Sequence, residues 1–163
     1  MYSVDLSAAF DMLRRDTFID NAREILNEDV LPVMQDLLSD RRCRIKVGGK
    51  LYEEFKVNLG CVQGSVLGPK IFNIYTQKIK ECLTTNAEIV KYADDSYVII
   101  RANEGDTAGL IKETEECLNS HCDYLRNLGM VVNQEKTEAL HISRKVQKQL
   151  TIKCGASKVR TSK

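Results

Sequence analysis

Two adjacent aspartates, Asp94 and Asp95, interrupt the run KYADDSYVII (residues 91–100), which otherwise has the composition of a strand. Asp is a poor strand residue and neighbouring carboxylates repel, so the pair needs a local reason. A third carboxylate, Asp5, stands near the end of a short opening strand, MYSVDL (1–6). Carboxylates brought close together destabilise one another unless a proton or cation lies among them. No His or Cys occurs at these strand ends, which argues against a zinc site built on imidazole or thiolate. Oxygen-only ligands on a short turn suit Mg²⁺ or Mn²⁺, which keep several waters and take carboxylates together with substrate phosphates. Two such ions, roughly 3.5–4 Å apart, activate the attacking oxygen and stabilise the leaving one in phosphoryl transfer.

Whether Asp5, Asp94 and Asp95 meet depends on the elements that carry them. Residues 15–28 and 31–40 read as helices, with Pro32 tolerated in the first turn of the second. RRCRIKVGGKLYEEFKV (41–57) reads as a hairpin around Gly48-Gly49. Pro69 suits a helix start, and Ile71, Phe72, Ile74, Tyr75, Ile79, Cys82 and Leu83 give that helix an apolar face to about Thr84. Strands are expected at 88–93 and 96–102, a helix at 107–127 with Gly129 at its C-cap, and a strand at 137–143. The last twenty residues read as a weak hairpin or a frayed end. With 13–60 set aside as an insertion, the order is βαββαβ, an α+β fold with a ferredoxin-like sheet. Right-handed crossovers would then put the first strand antiparallel to the second strand of the 88–102 hairpin. With neighbouring strands about 4.8 Å apart, the three carboxylates should converge on one edge.

The 163 residues suffice for one domain with a real core, and 43% hydrophobic with 29% charged residues is ordinary for a globular chain. No apolar run approaches a membrane span and no signal peptide is evident, so no membrane partner and an intracellular location are expected, nucleus and cytoplasm undistinguished. Without a secretory signal the six scattered cysteines read as reduced thiols. Cys117 and His121 share a helix face, with Cys122 beside them, but no partner pair elsewhere completes a metal site, and both histidines read as core or surface residues. The net charge of +1 hides an asymmetry. Seven of the 24 basic residues and none of the 23 acidic ones follow Glu138, which leaves 17 basic against 23 acidic groups in residues 1–138. The tail basic groups (Arg144, Lys145, Lys148, Lys153, Lys158, Arg160 and Lys163) could follow a phosphate backbone or be simply solvated.

DLSAAFD (5–11), QGSVLGP (63–69), YADD (92–95) and GMVVNQEKT (129–137) resemble, in order and spacing, the palm motifs A to D of reverse transcriptases. The wording is most similar to the polymerases of non-LTR, LINE-type retrotransposons. The resemblance implies a polymerase palm over 1–143 and, over 144–163, a basic segment that begins a thumb or primer-grip region. It implies an RNA-directed DNA polymerase working with two Mg²⁺ or Mn²⁺ ions on an RNA template, a DNA primer and dNTPs. Asp5 and Asp94 would be the principal metal ligands and Asp95 the supporting acid. Phe10 would pack against the incoming sugar and disfavour a 2′-hydroxyl. Gln63 and Gly64 would form the loop touching nucleotide and template, with Ser65 turning the chain before Pro69. Lys136 would protonate or clamp the departing pyrophosphate. Asp11 reads as structural, opening the following helix.

Val62 departs from the family pattern, which has Pro before Q-G. The fingers segments before motif A and the thumb beyond motif D are expected to be missing, so the isolated fragment is expected to be weakly active or inactive. A non-catalytic retroelement relic that still binds nucleic acid is the alternative. A group II intron maturase or a cyclic-dinucleotide synthase shares the carboxylate hairpin but fits AFD and QGSVLGP less well.

Overall fold

Tyr2 and Val4 are almost fully buried and alternate with more exposed residues, so Tyr2–Ser7 forms a strand, β1, with one face in the core. The computed structural model describes residues 1–103, 105–143 and 149–162. After β1 come helices α1 (Arg15–Arg23) and α2 (Leu31–Leu38), then strands β2 (Arg42–Val47) and β3 (Lys50–Lys56). Helix α3 (Gly68–Tyr75) and a 3₁₀ segment (Gln77–Cys82) lead into β4 (Ala87–Tyr92) and β5 (Asp95–Ile100). Helix α4 (Thr107–Asn127) and strands β6 (Val131–Leu140), β7 (Thr151–Cys154) and β8 (Ser157–Ser162) complete the chain.

The main sheet has the order β4-β5-β1-β6-β8-β7, and β2-β3 form a separate two-stranded ribbon. β1 lies antiparallel to both β5 and β6, while β8 runs parallel to β6. Helix α4 packs against β5, β6 and β7. Its buried residues Thr114, Cys117, Leu118, His121, Cys122 and Leu125 follow the helical period. Asp106 caps its start by accepting from the Gly109 N–H, and Gly129 (φ +84°) takes the left-handed position just beyond its end. The opposite face of the sheet is open: Val90, Tyr92 and Tyr97 lie exposed there.

Four sequence expectations change. The helix from Pro69 does not run to Thr84 but breaks after Tyr75, where the Thr76 hydroxyl donates back to the Phe72 carbonyl and the Lys91 ammonium donates to the Thr76 carbonyl. The Thr76 carbonyl also accepts from the Ile79 N–H three residues on, at 3.3 Å, and the chain continues as the tighter 3₁₀ segment. α1 ends at Arg23 rather than 28; near its end the Asn21 carbonyl accepts from the Gln77 amide at 3.1 Å as well as from the Glu24 N–H. The strand expected at 137–143 begins at Val131 and ends at Leu140. The terminal hairpin is part of the sheet: Leu150, Ile152, Cys154 and Val159 are buried, and β8 pairs with β6. The tail residues Arg144, Lys145, Lys148 and Lys163 lie outside the described residues.

His121, fully buried on α4, lies under Tyr2, whose hydroxyl is 3.4 Å from Nδ1. Burial, helped by the charge of Lys91, brings its pKa down to about 4 from an ordinary 6.5. Between those values the unfolded chain binds the proton and the folded chain does not, so stability is complete above the unfolded pKa and is lost as pH falls toward the folded one. The loss expected from this group is at most about 3 kcal/mol. Urea unfolding of wild type and His121→Gln at pH 6.5 and 4.5 checks this: the variant should lose most of the pH dependence, and an unchanged dependence would assign it to other groups.

Candidate active site

The register of β1 with β5 runs Tyr2↔Val98, Ser3↔Tyr97, Val4↔Ser96. Because Tyr2, Val4, Ser96 and Val98 point into the core, Ser3 and Asp5 point to the open face. One residue past the last pair, Asp5 comes level with Asp95. The β4-β5 ladder closes at Tyr92↔Asp95, leaving Ala93 and Asp94 as a two-residue turn with Ala93 at φ +54°. Asp5 and Asp94 are half-buried and Asp95 is exposed. The three acids thus share one end of the sheet, on two neighbouring strands and the turn between β4 and β5. Among the described residues no three His, Cys, Asp or Glu side chains close into a ready-made metal cage.

Beyond β1 the chain turns sharply. Ala8 (φ +51°) accepts from the Asp11 and Met12 N–H groups, and Ala9 is buried. Phe10 is half-buried with its ring 5.3 Å from that of Phe72 on α3. Its carbonyl accepts from the Cys61 N–H at 3.0 Å, and the Leu13 carbonyl accepts from the Gly60 N–H at 2.7 Å. Gly60 is at φ +77°, and a Cβ there would sit 2.9 Å from the Phe10 oxygen and the Asp11 Cα, so only glycine lets the two segments touch. The Arg41 guanidinium holds the Gly60 carbonyl at 2.7 Å.

Gln63 and Gly64 sit exposed in the loop that follows, with Gly64 at φ +75°. The Gln63 amide donates to both Asp11 carboxylate oxygens, at 2.9 and 2.8 Å. Asp11 therefore does not open α1, whose N-cap is Arg14 without a side-chain cap; it ties the loop to the turn after β1. Ser65 accepts from the Gly68 N–H at 3.0 Å and turns the chain into α3, as expected. Lys136 is exposed on β6, the other neighbour of β1, in a segment where Asn133 pairs with Asp5.

Several residues that organise this region carry no motif signal. Tyr75, fully buried, accepts from the Arg14 N–H and donates to the Leu128 carbonyl, so it joins the turn after β1 to the approach of β6. Lys91 lies under the hairpin, where burial lowers its pKa to about 8 and Thr76 receives its donors. Neither could be singled out from spacing, because a tyrosine on an apolar helix face and a lysine in a strand look ordinary. Cys117, His121 and Cys122 are core residues: Cys117 sulfur meets the Thr84 N–H at 3.4 Å and Cys122 sulfur lies 3.7 Å from that of Cys154. Burial pushes the Cys122 thiol up to about 12.

The Asp11–Gln63 link makes a specific expectation. Asp11→Ala and Gln63→Ala should each accelerate amide hydrogen exchange across residues 62–66, and the double variant should be no faster than either single one. Additive acceleration would mean that the two side chains act independently.

The family model described as reverse transcriptase (RNA-dependent DNA polymerase) matches residues 1–158. Over 141 residues the chain is 25% identical to the probable RNA-directed DNA polymerase from transposon BS of Drosophila melanogaster. It is 24% identical to the RNA-directed DNA polymerase from mobile element jockey of the same species. Each match covers 82% of this chain and 15% of the relative, so the chain spans a small part of their length. A type-1 retrotransposable element R1 polyprotein of Nasonia vitripennis is 28% identical over 88 residues, 53% of this chain and 26% of the relative. Among solved structures, apo telomerase from Candida tropicalis superposes with a TM-score of 0.64 at 14% identity, over 93% of this chain and 30% of that one. Telomerase from Candida albicans in complex with a telomeric RNA fragment gives 0.63 at 16% identity, over 98% and 29%. The structural likenesses speak for the fold, and the transposon relatives agree with the non-LTR resemblance of the motifs. Motifs A to D therefore stand on a common scaffold, and the chain belongs to the reverse transcriptase family.

Proposed function

We propose that this chain is the palm of an RNA-directed DNA polymerase that adds deoxynucleotides to a DNA primer 3′-end on an RNA template. The strand order β4-β5-β1-β6, with helical connections between β1 and β4 and between β5 and β6, supports reading its core as a ferredoxin-like palm extended by β7 and β8. The observation that carries the functional reading is the register that sets Asp5 level with Asp95, beside the Ala93-Asp94 turn, on the open face of the sheet.

An oxygen-only donor set at the rim of two fixed strands fits Mg²⁺ or Mn²⁺, which take one or two carboxylates plus phosphate oxygens. Asp5 and Asp94 would hold the ions, with Asp95 in support. Two bound cations supply Lewis-acid stabilisation of charge on the attacking and departing oxygens. The chain's own part is positioning, which dominates phosphoryl transfer. Phe10, braced on Phe72, would face the incoming sugar and leave little room for a 2′-hydroxyl. Gln63 and Gly64, tied down by Asp11, would line the nucleotide and template. Lys136 would meet the pyrophosphate as clamp or proton donor.

The test is divalent-dependent extension of a DNA primer on an RNA template by a polypeptide carrying this palm with the flanking polymerase segments its longer relatives suggest. Asp94→Asn should abolish incorporation, and Asp5→Asn should do the same. Unchanged extension in the Asp94 variant would remove that residue from the mechanism. Retained, salt-sensitive template binding without incorporation in wild type would favour the non-catalytic reading.

A further inference from the structure

The β1-β6 ladder is interrupted at the candidate site. It runs Tyr2↔Ala139 and Ser3↔Glu138, then resumes at Asp5↔Asn133, Leu6↔Val132 and Ser7↔Val131. Across the break β1 spends one residue, Val4, and β6 spends four, Gln134 to Thr137. A regular ladder continued from Ser3↔Glu138 would put Lys136 directly opposite Asp5. Cross-strand partners have Cβ atoms about 4.5–5.5 Å apart, within reach of an ion pair. The bulge replaces that lysine with a neutral amide, Asn133, and leaves Lys136 exposed.

The bulge is locked by its own ends. The Asn133 Oδ1 accepts from the Lys136 N–H at 3.3 Å, and the Asn133 carbonyl accepts from the Thr137 hydroxyl at 2.8 Å. Thr137 is buried at 5% exposure, so its hydroxyl faces little competition from water. From β8 the Ser157 hydroxyl donates to the Gln134 side-chain oxygen at 2.6 Å. Bulges next to active sites commonly re-aim a side chain in this way.

We propose that Asn133 and Thr137 are positioning residues whose bulge keeps Lys136 from pairing with Asp5, leaving the carboxylate free for a divalent cation and the ammonium free for a substrate phosphate. The proposal rests on the assignment of Asp5 as a metal ligand. Within it, the spacing N-x-x-K-T acquires a physical reason. Asn caps the bulge and occupies the position across from Asp5, Thr closes the bulge from inside, and Lys projects from its outer side.

Deleting Asn133, Gln134 and Glu135 would restore a continuous ladder with Lys136 opposite Asp5 while keeping Leu6↔Val132. Mn²⁺ binding to the whole chain, followed by electron paramagnetic resonance, is the readout. The deletion should weaken Mn²⁺ by about tenfold or more, and adding Lys136→Ala to it should restore binding. Thr137→Val, which keeps shape and removes the hydroxyl, should weaken binding in the same Lys136-dependent way, whereas Thr137→Ser should not; this pair serves if the deletion fails to fold. Unchanged Mn²⁺ affinity in the folded deletion or in Thr137→Val, or loss that Lys136→Ala does not reverse, would overturn the proposal. Asp5→Asn in the parent separates the two levels. If it leaves Mn²⁺ binding intact, the metal assignment fails and takes this proposal with it; if it abolishes binding while the bulge variants do not matter, only the bulge proposal fails.

Discussion

Everything at the candidate site hangs on β1 being hydrogen-bonded on both edges. It lies between β5 and β6, antiparallel to each, with Tyr2 and Val4 buried on its inner face. A one-residue slip would turn those side chains outward and drive Asp5 into the core, a cost that includes desolvating a carboxylate. The burial of two apolar side chains therefore fixes the direction of a charge. The same register brings the β4-β5 turn level with Asp5, so packing on one face of the sheet aligns the carboxylates on the other.

A second layer of constraint is polar and lies beneath the sheet. Tyr75, Thr76, Lys91, Asn21 and Gln77 exchange hydrogen bonds where α3 gives way to the 3₁₀ segment. Tyr75 reaches from there to Arg14 and Leu128. Buried donors and acceptors are costly when unpaired, so such a junction tolerates few arrangements. It holds the turn after β1, the end of α3 and the approach to β6 in one relation, although these segments are far apart in sequence. Gly60 does the same by absence of a side chain, letting the turn after β1 and the 60–61 segment touch.

The ribbon β2-β3 stands apart from this economy. Its residues are exposed on both faces, including Ile45, Val47, Leu51, Tyr52 and Phe55. Isolated two-stranded ribbons are marginal in water. Its order here comes from pairing, from the ion pairs of Arg42 and Arg44 with Glu54, and from the Arg41 and Arg15 contacts at its base.

Much was legible in the residues alone, and for a local reason in each case. The hairpin around Gly48-Gly49, α4 with its Gly129 stop, and the β4-β5 hairpin follow from periodicity and turn chemistry within a few residues, although the β4-β5 turn falls at Ala93-Asp94, one residue before the expected Asp94-Asp95. The motif wording also read the family correctly. What stayed hidden depends on partners distant in the chain. Lys91 meets the break of α3 at Thr76, Gln77 meets the end of α1, and the role of Asp11 rests on Gln63. The bulge in β6 is invisible to strand periodicity, because a bulge is a mismatch between two strands and only pairing with β1 reveals the three extra residues. Local sequence chose the elements and supplied the carboxylates. The strand order already brought Asp5 toward the paired aspartates; the register that sets it level with Asp95 and the bulge that moves Lys136 from opposite it came only with folding, since they are set by which strands share hydrogen bonds and which faces are removed from water.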